Sequence, residues 1–223
     1  MSPNTLAISE IFHSIQGEGS FAGWPCTFIR LAGCGHGCKG CDTSYAEDKG
    51  FELEIEGIIQ RALTFQASFI EITGGEPLLQ PPVYPLMTQL CDLNQKVLLE
   101  TGGFISIEKV DKRVHKIIDI KPPSSGVAQH NNPDNIRLAL EAELPQRHTF
   151  EFKIVIAGKE DYDWATSLLH EYRLTDSFTV MMGVAFGKLD PAKLAEWILH
   201  DHLRVRLQLQ LHKYLWDPSR RGV

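Results

Sequence analysis

The sequence predicts an α/β fold, a parallel sheet with covering helices. Strand and helix patterns alternate about six times along the chain. The distinctive short motifs fall at or just past strand C-terminal ends: a cysteine loop, Gly74-Gly75-Glu76-Pro77, Glu100-Thr101-Gly102-Gly103, Lys121-Pro122-Pro123 and His212-Lys213. That edge is where parallel α/β folds build sites. A length of 223 residues, 43% of them hydrophobic, suits one domain, 1–223, with a sizeable core.

The elements follow from local pattern. Cys26 to Leu31 reads as a strand running into the cysteine loop. Ile55, Ile58, Ile59, Ala62 and Leu63 have amphipathic helical spacing. Phe69 to Thr73 is a strand, and Val83, Leu86, Met87 and Leu90 mark a second helix. Val97 to Leu99 and Lys116 to Ile120 are further strands. Ser124 to Asn135 is polar and loop-like, before a helix over Ile136 to Ala142. Phe150 to Ile156 is a strand, a helix carries Trp164, Ala165, Leu168, Leu169 and Tyr172, and Phe178 to Met182 is the next strand. Asp190-Pro191 starts a helix with a capping carboxylate and a proline at the first position. From Val205 to His212 apolar and polar residues alternate, which predicts a strand with one face of each kind.

Composition excludes several classes. The net charge is −6 with no long basic run, which disfavours nucleic acid as a partner. No apolar run approaches a membrane span, and the N-terminus has no signal-peptide pattern. Five cysteines, three of them in one loop, do not make a secreted disulfide framework, so a reducing cytoplasm is expected. Cys26 and Cys91 read as buried structural thiols, and no further cysteine follows to hold a second cluster.

The loop Cys34-Gly-His-Gly-Cys38-Lys-Gly-Cys41 has C-x3-C-x2-C spacing. Three thiolates this close can hold three irons of a cubane and leave the fourth open to a small molecule. The alternative is a structural zinc site with His36 as fourth ligand, for which the loop has little room. Gly74-Gly75-Glu76-Pro77 is either a plain turn or a place where backbone approaches a ligand. Arg30, on an otherwise apolar strand, needs an anion: a substrate carboxylate or an internal Glu or Asp. Thr43 suits a helix N-cap or a hard-metal ligand.

Taken together these motifs resemble the radical S-adenosylmethionine (SAM) superfamily. Ile15-Gln16-Gly17-Glu18-Gly19, Phe28 to Gly33, Cys41-Asp42-Thr43, Lys121 to Ser125 and Gln210 to Lys213 narrow the resemblance to the 7-carboxy-7-deazaguanine synthase (QueE) family, over nearly the whole chain. The resemblance implies a reduced, incomplete (β/α)6-type TIM-like barrel, since the chain is shorter than the roughly 250 residues typical of eight βα units. It implies a lyase that contracts 6-carboxy-5,6,7,8-tetrahydropterin to 7-carboxy-7-deazaguanine with loss of ammonia, in queuosine and related 7-deazapurine biosynthesis. The implied cofactors are a [4Fe–4S] cluster on Cys34, Cys38 and Cys41, SAM, and Mg2+ on Thr43. Implied SAM contacts are Gly40, Cys41, Asp42, Gly74, Gly75, Glu76, Gly103, Asp119, Ile120 and Lys121. Implied pterin contacts are Ile15, Gln16, Gly17, Glu18, Arg30, Thr73, Thr101, His212 and Val223. A homodimer and a flavodoxin- or ferredoxin-type electron donor are implied as well. The chain departs from the family at Asp119, where a serine is usual, and at Met181-Met182-Gly183, where a Gln is frequent. Two other readings compete: an activase that makes glycyl radicals on a protein, and a non-catalytic iron–sulfur module.

Overall fold

The computed structural model describes residues 4–223. One nine-stranded sheet runs through it: β1 (Thr5–Ile15), β2 (Pro25–Leu31), β3 (Phe51–Glu54), β4 (Phe69–Gly74), β5 (Val97–Thr101), β6 (His115–Asp119), β7 (Phe150–Ile156), β8 (Thr179–Val184) and β9 (Arg206–Gln208), in the order β3-β1-β2-β4-β5-β6-β7-β8-β9. β2 and β4 to β9 are parallel neighbours in succession, and β1 pairs antiparallel with both β2 and β3. Helices α1 (Ile55–Leu63), α2 (Val83–Asp92), α3 (Pro133–Glu141), α4 (Leu144–Arg147), α5 (Lys159–Tyr172) and α6 (Pro191–His200) lie in the crossovers, and α7 (His212–Leu215) follows β9. Asp190 caps α6 as its sequence suggests, its Oδ1 accepting from Ala192 N at 2.9 Å.

The sheet is curled. In a flat sheet β2 and β9, six neighbours apart, would lie roughly 29 Å from one another at 4.8 Å per strand. Yet the hairpin loop joining β1 to β2 touches the β9 region: Gly19 N donates to Gln208 Oε1 at 2.6 Å, and Leu211 N to Gly17 O at 3.1 Å. Such contacts require a partial barrel.

Strand periodicity divides the two faces. Ile70, Ile72, Leu99, Phe152, Ile154 and Ile156 point outward into one large apolar core with the helices. The opposite parity carries Glu71, Thr73, Glu100, Asp119, Glu151 and Lys153. Below these charges Cys26, Phe28, Phe69 and Leu98 form a separate apolar cluster with Phe12 and Phe21.

Three expectations need correction. β1 and β3 were not anticipated, whereas the seven strands of the parallel run are those the sequence pattern marks. The strand expected over 205–212 shrinks to Arg206–Gln208, and His212 begins a helix instead of lying on a strand face. Of its two faces the polar one turns inward: Gln208 is buried, while Leu207 and Leu209 are 42% and 36% exposed. The inward side is polar here because it faces the charged interior and not the helical layer.

Candidate active site

The cysteine loop leaves β2 at the C-terminal edge and lies against the end of β4. Gly74 has φ 144°, and a Cβ there would sit 2.2 Å from Leu31 O; one on Gly75 would meet Gly33 O at 2.3 Å and Cys34 Cβ at 2.8 Å. Glycine is therefore required where the two strand ends converge. Lys39 N donates to Ser125 O at 2.9 Å, joining the loop to the segment after Lys121-Pro122-Pro123.

Cys34, Cys38 and Cys41 are free thiols, the first two half-buried and the third exposed. Burial raises Cys34 above its ordinary range; burial also raises Cys38, with the Lys121 ammonium opposing. Among the described residues no three His, Cys, Asp or Glu side chains stand as ligands of one metal ion. Three unpaired thiols on one glycine-rich loop fit a cubane that takes one thiolate on each of three irons. His36 packs on Phe104 with the rings tilted by 36° and 3.9 Å between centroids, and among the described residues its buried Nε2 has no hydrogen-bond partner. Thr43 precedes a 3-10 turn, Ser44–Glu47, without capping it through its side chain; its Oγ1 lies 3.6 Å from Cys41 Sγ.

Beside this edge, on the inner face, lies a set of paired charges. Lys153 Nζ contacts Glu18 Oε2, stands 2.6 Å from Glu100 Oε1 and is 4.0 Å from Asp119 Oδ2. Lys121 Nζ pairs with Asp119 Oδ2 at 2.6 Å. Burial works against the Lys153 charge, but Glu100, Glu18 and Asp119 keep its pKa well above the usual lysine range. Burial also works to raise Glu100, and Lys153 outweighs it, holding this carboxyl below its ordinary value. For Glu18 burial wins and the shift is upward, Lys153 pulling against it. Glu71, fully buried, accepts from Gln16 Nε2; burial, then Glu100 and Glu18, push it well above the usual carboxylate range.

The expected site residues divide clearly. Gln16 and Glu18 of the hairpin loop, Thr73 of β4, Asp119 at the end of β6 and Lys121 just past it, and His212 of α7 converge on the interior. A Cβ on Gly17 would lie 2.4 Å from His212 Nδ1, so loop and helix are in direct contact. Asp42 accepts from Gln210 Nε2 at 3.1 Å, with Lys213 Nζ 3.8 Å away. Burial, then Lys213, lowers His212 and favours its neutral form.

Glu76 does not present its side chain to a ligand. It is 0% exposed and accepts from Leu78 N, Gly102 N and Thr101 Oγ1 at 2.8–3.0 Å. Its carboxylate joins the ends of β4 and β5, and the Thr101 hydroxyl that donates to it also accepts from Gly103 N at 3.2 Å. Ile120 is buried at 4% exposure. Arg30 has an internal anion: Nε donates to Glu10 Oε1 at 2.8 Å, and the Tyr45 hydroxyl donates to the same oxygen at 2.8 Å. Among the described residues the terminal amino groups of Arg30 have no hydrogen-bond partner, so an internal partner and a second anion are compatible. Near Val223, Arg221 lies over the Tyr45 ring at 4.1 Å.

Sequence reasoning missed Lys153, Glu100, Glu71, Glu10 and Gln208. The usable signal was parity, since charges occupy alternate positions of otherwise apolar strands, as in Glu151-Phe152-Lys153-Ile154.

Residues 28–187 match the radical SAM superfamily. A 7-carboxy-7-deazaguanine synthase of Chlorobaculum tepidum is 56% identical over 98% of this chain and 97% of its own length. One of Koribacter versatilis is 36% identical over 98% of this chain and its full length. The crystal structure of QueE from Escherichia coli has a similar fold: TM-score 0.68 at 22% identity, covering 92% of this chain and 94% of that one.

Proposed function

Since this chain belongs to the radical SAM superfamily and, within it, to the 7-carboxy-7-deazaguanine synthases, enzymes that use a [4Fe–4S] cluster and SAM, we propose that its inner pocket contracts 6-carboxytetrahydropterin to 7-carboxy-7-deazaguanine with release of ammonia. The observation that carries this reading is the placement of the three-cysteine loop against Gly75 at the rim of a pocket of paired charges.

Cys34, Cys38 and Cys41 would hold the cluster. The cluster and SAM together supply a carbon radical able to take hydrogen from an unactivated position. The protein supplies binding and orientation. Gly40 to Asp42, the backbone of Gly74 to Glu76, Gly103, and Asp119 to Lys121 would hold SAM. Asp119 replaces the hydroxyl usual in the family with an acceptor for ribose hydroxyls. Its Oδ1 is buried without a partner, which supports a ligand contact there. The pterin takes the adjoining space: Ile15 to Glu18, Thr73 and His212 meet its ring edge, Arg30 its carboxylate, and Val223 closes one side. Glu76 and Thr101 support the rim through each other. Thr43 offers a hydroxyl to Mg2+, which commonly completes its shell with water and substrate oxygen.

The chain works as one domain, in a cytoplasmic homodimer reduced by a flavodoxin- or ferredoxin-type donor. Unpaired cysteines support a reducing compartment. No helix among the described residues is long and apolar enough to cross a membrane.

The test is an anaerobic assay of reconstituted protein with SAM, reductant, Mg2+ and 6-carboxytetrahydropterin, products read by mass spectrometry. The expected product is 7-carboxy-7-deazaguanine, and Cys38→Ala should abolish both it and 5′-deoxyadenosine. 5′-Deoxyadenosine without the deazaguanine would move the substrate elsewhere, and SAM cleavage retained in Cys38→Ala would overturn the cluster assignment.

A further inference from the structure

Resting on the reading that the inner pocket takes a pterin, we propose that Lys153 is a positioning residue, which holds Glu18 and Glu100 as a pair of carboxylate acceptors for the substrate's N–H groups.

Lys153 ties together segments distant in sequence. It projects from β7 to Glu18 of the β1–β2 loop and to Glu100 at the end of β5. Among the described residues no other cation comes within 4.0 Å of either carboxylate. Each acid gives Lys153 one oxygen, Oε2 of Glu18 and Oε1 of Glu100. Among the described residues their other oxygens, Glu18 Oε1 and Glu100 Oε2, carry no hydrogen bond, and neither is a sealed, unpartnered atom. The side chains of Glu18 and Glu100 are 12% and 22% exposed, against 6% for Lys153. The ammonium is thus enclosed behind two carboxylates that each keep one acceptor free.

Pterin chemistry matches such a pair. The amino group and ring N–H of the pyrimidinone edge are adjacent donors, and the reduced ring adds further N–H groups. Ionised carboxylates accept from them more strongly than neutral acids do. Two acids facing one ligand would repel and take up protons if nothing offset their charge. Lys153 offsets it without occupying the free oxygens. The surrounding charges do not replace it: β4 adds the acid Glu71, β6 contributes Asp119 already paired with Lys121, Asp42 on the cysteine loop is matched by Lys213 at 3.8 Å, and His212 on α7 favours its neutral form.

The test is binding of 6-carboxytetrahydropterin to reconstituted protein with SAM but no reductant, by anaerobic calorimetry between pH 6.5 and 9. Variants are Lys153→Met, the pair Glu18→Gln with Glu100→Gln, and all three together. Lys153→Met should weaken binding by about 30-fold or more at pH 7, the range for truncating one partner of a buried charge pair. Without the ammonium both carboxyls titrate higher, so the loss relative to wild type should shrink as pH rises. The triple variant should bind no worse than the Gln pair, because Lys153 acts only through the two acids. A pH-independent loss in Lys153→Met, or a further loss in the triple variant, would overturn the role. Should Lys153→Met not fold, the comparison of the triple variant with the Gln pair decides alone. Wild-type protein that fails to bind the pterin would overturn the pocket reading, and this role with it.

Discussion

Glu71 is 1% exposed, with Gln16 as its hydrogen-bond partner and the acids Glu18 and Glu100 nearby. Burial first, then those acids, raise its pKa far above the ordinary 4.5. Its protonated form therefore favours the fold below that value, and this contribution is lost as pH rises through the folded-state pKa. Glu71→Gln keeps the shape of the neutral acid and removes the titration. The variant should melt with wild type near pH 4 and above it near pH 8, by roughly 2–4 °C for each kcal/mol recovered. A thermal scan at the two pH values checks this; equal midpoints at pH 8 would mean that Glu71 is held as an anion. Residue identity alone shows only part of such roles. That Arg30 needs an anion follows from a charge among apolar strand residues. That Glu10 supplies one depends on the register of β1 against β2, where Glu10 pairs with Arg30. Glu76 likewise looks available in the sequence, but the fold commits its oxygens to neighbouring backbone and Thr101.

Contacts between elements locate His212. Gly17, on the hairpin loop, leaves just enough room for its ring, since a Cβ would stand 2.4 Å from Nδ1 and 3.3 Å from the His212 backbone nitrogen. The hard conflict is with the ring, while the backbone contact needs only a slight shift, so Gly17→Ala should displace the His212 imidazole. We expect its pterin KM to rise by about tenfold or more, the 1.4 kcal/mol scale of a modest steric conflict, with SAM affinity nearly unchanged. Equal loss of both affinities would place the disturbance in the fold and not in the pterin pocket. The same region shows what patterning leaves open. Alternation from Val205 to Leu211 identifies two faces but not which one points inward. Leucine faces helices on a strand with an apolar layer behind it; at the edge strand β9 the inner side is a charged pocket, so Gln208 turns in and Leu207 turns out. The central strands and helices were legible because each carries its own 2.0 or 3.6 period. β1 was not: its Glu10, Phe12, His13 and Ser14 follow no single apolar parity.

At the scale of the whole molecule, the βα succession was readable and the curl was not. Curling rests on contacts such as Gly19 with Gln208, far apart in the chain, for which local pattern has no signal. The end of the chain is tied in by the same kind of long-range contact. Arg221 stacks on Tyr45, whose hydroxyl shares Glu10 Oε1 with Arg30. The final residues, β1, β2 and the turn after the cysteine loop thereby fix one guanidinium while leaving its terminal amino groups free. If those groups receive the pterin carboxylate, Arg221 should matter to substrate binding without touching the cluster. A cation–π contact contributes about 0.5–2 kcal/mol, so Arg221→Ala should raise pterin KM by roughly 2- to 30-fold. Steady-state kinetics would measure this, with SAM Kd as the internal control. Tyr45→Phe separates the two links, because it keeps the ring under Arg221 and removes only the bond to Glu10. A KM raised in Arg221→Ala but not in Tyr45→Phe would assign the effect to packing of the chain end. A rise in both would assign it to the orientation of Arg30, and an unchanged KM in Arg221→Ala would make the contact a surface feature with no hold on the pocket.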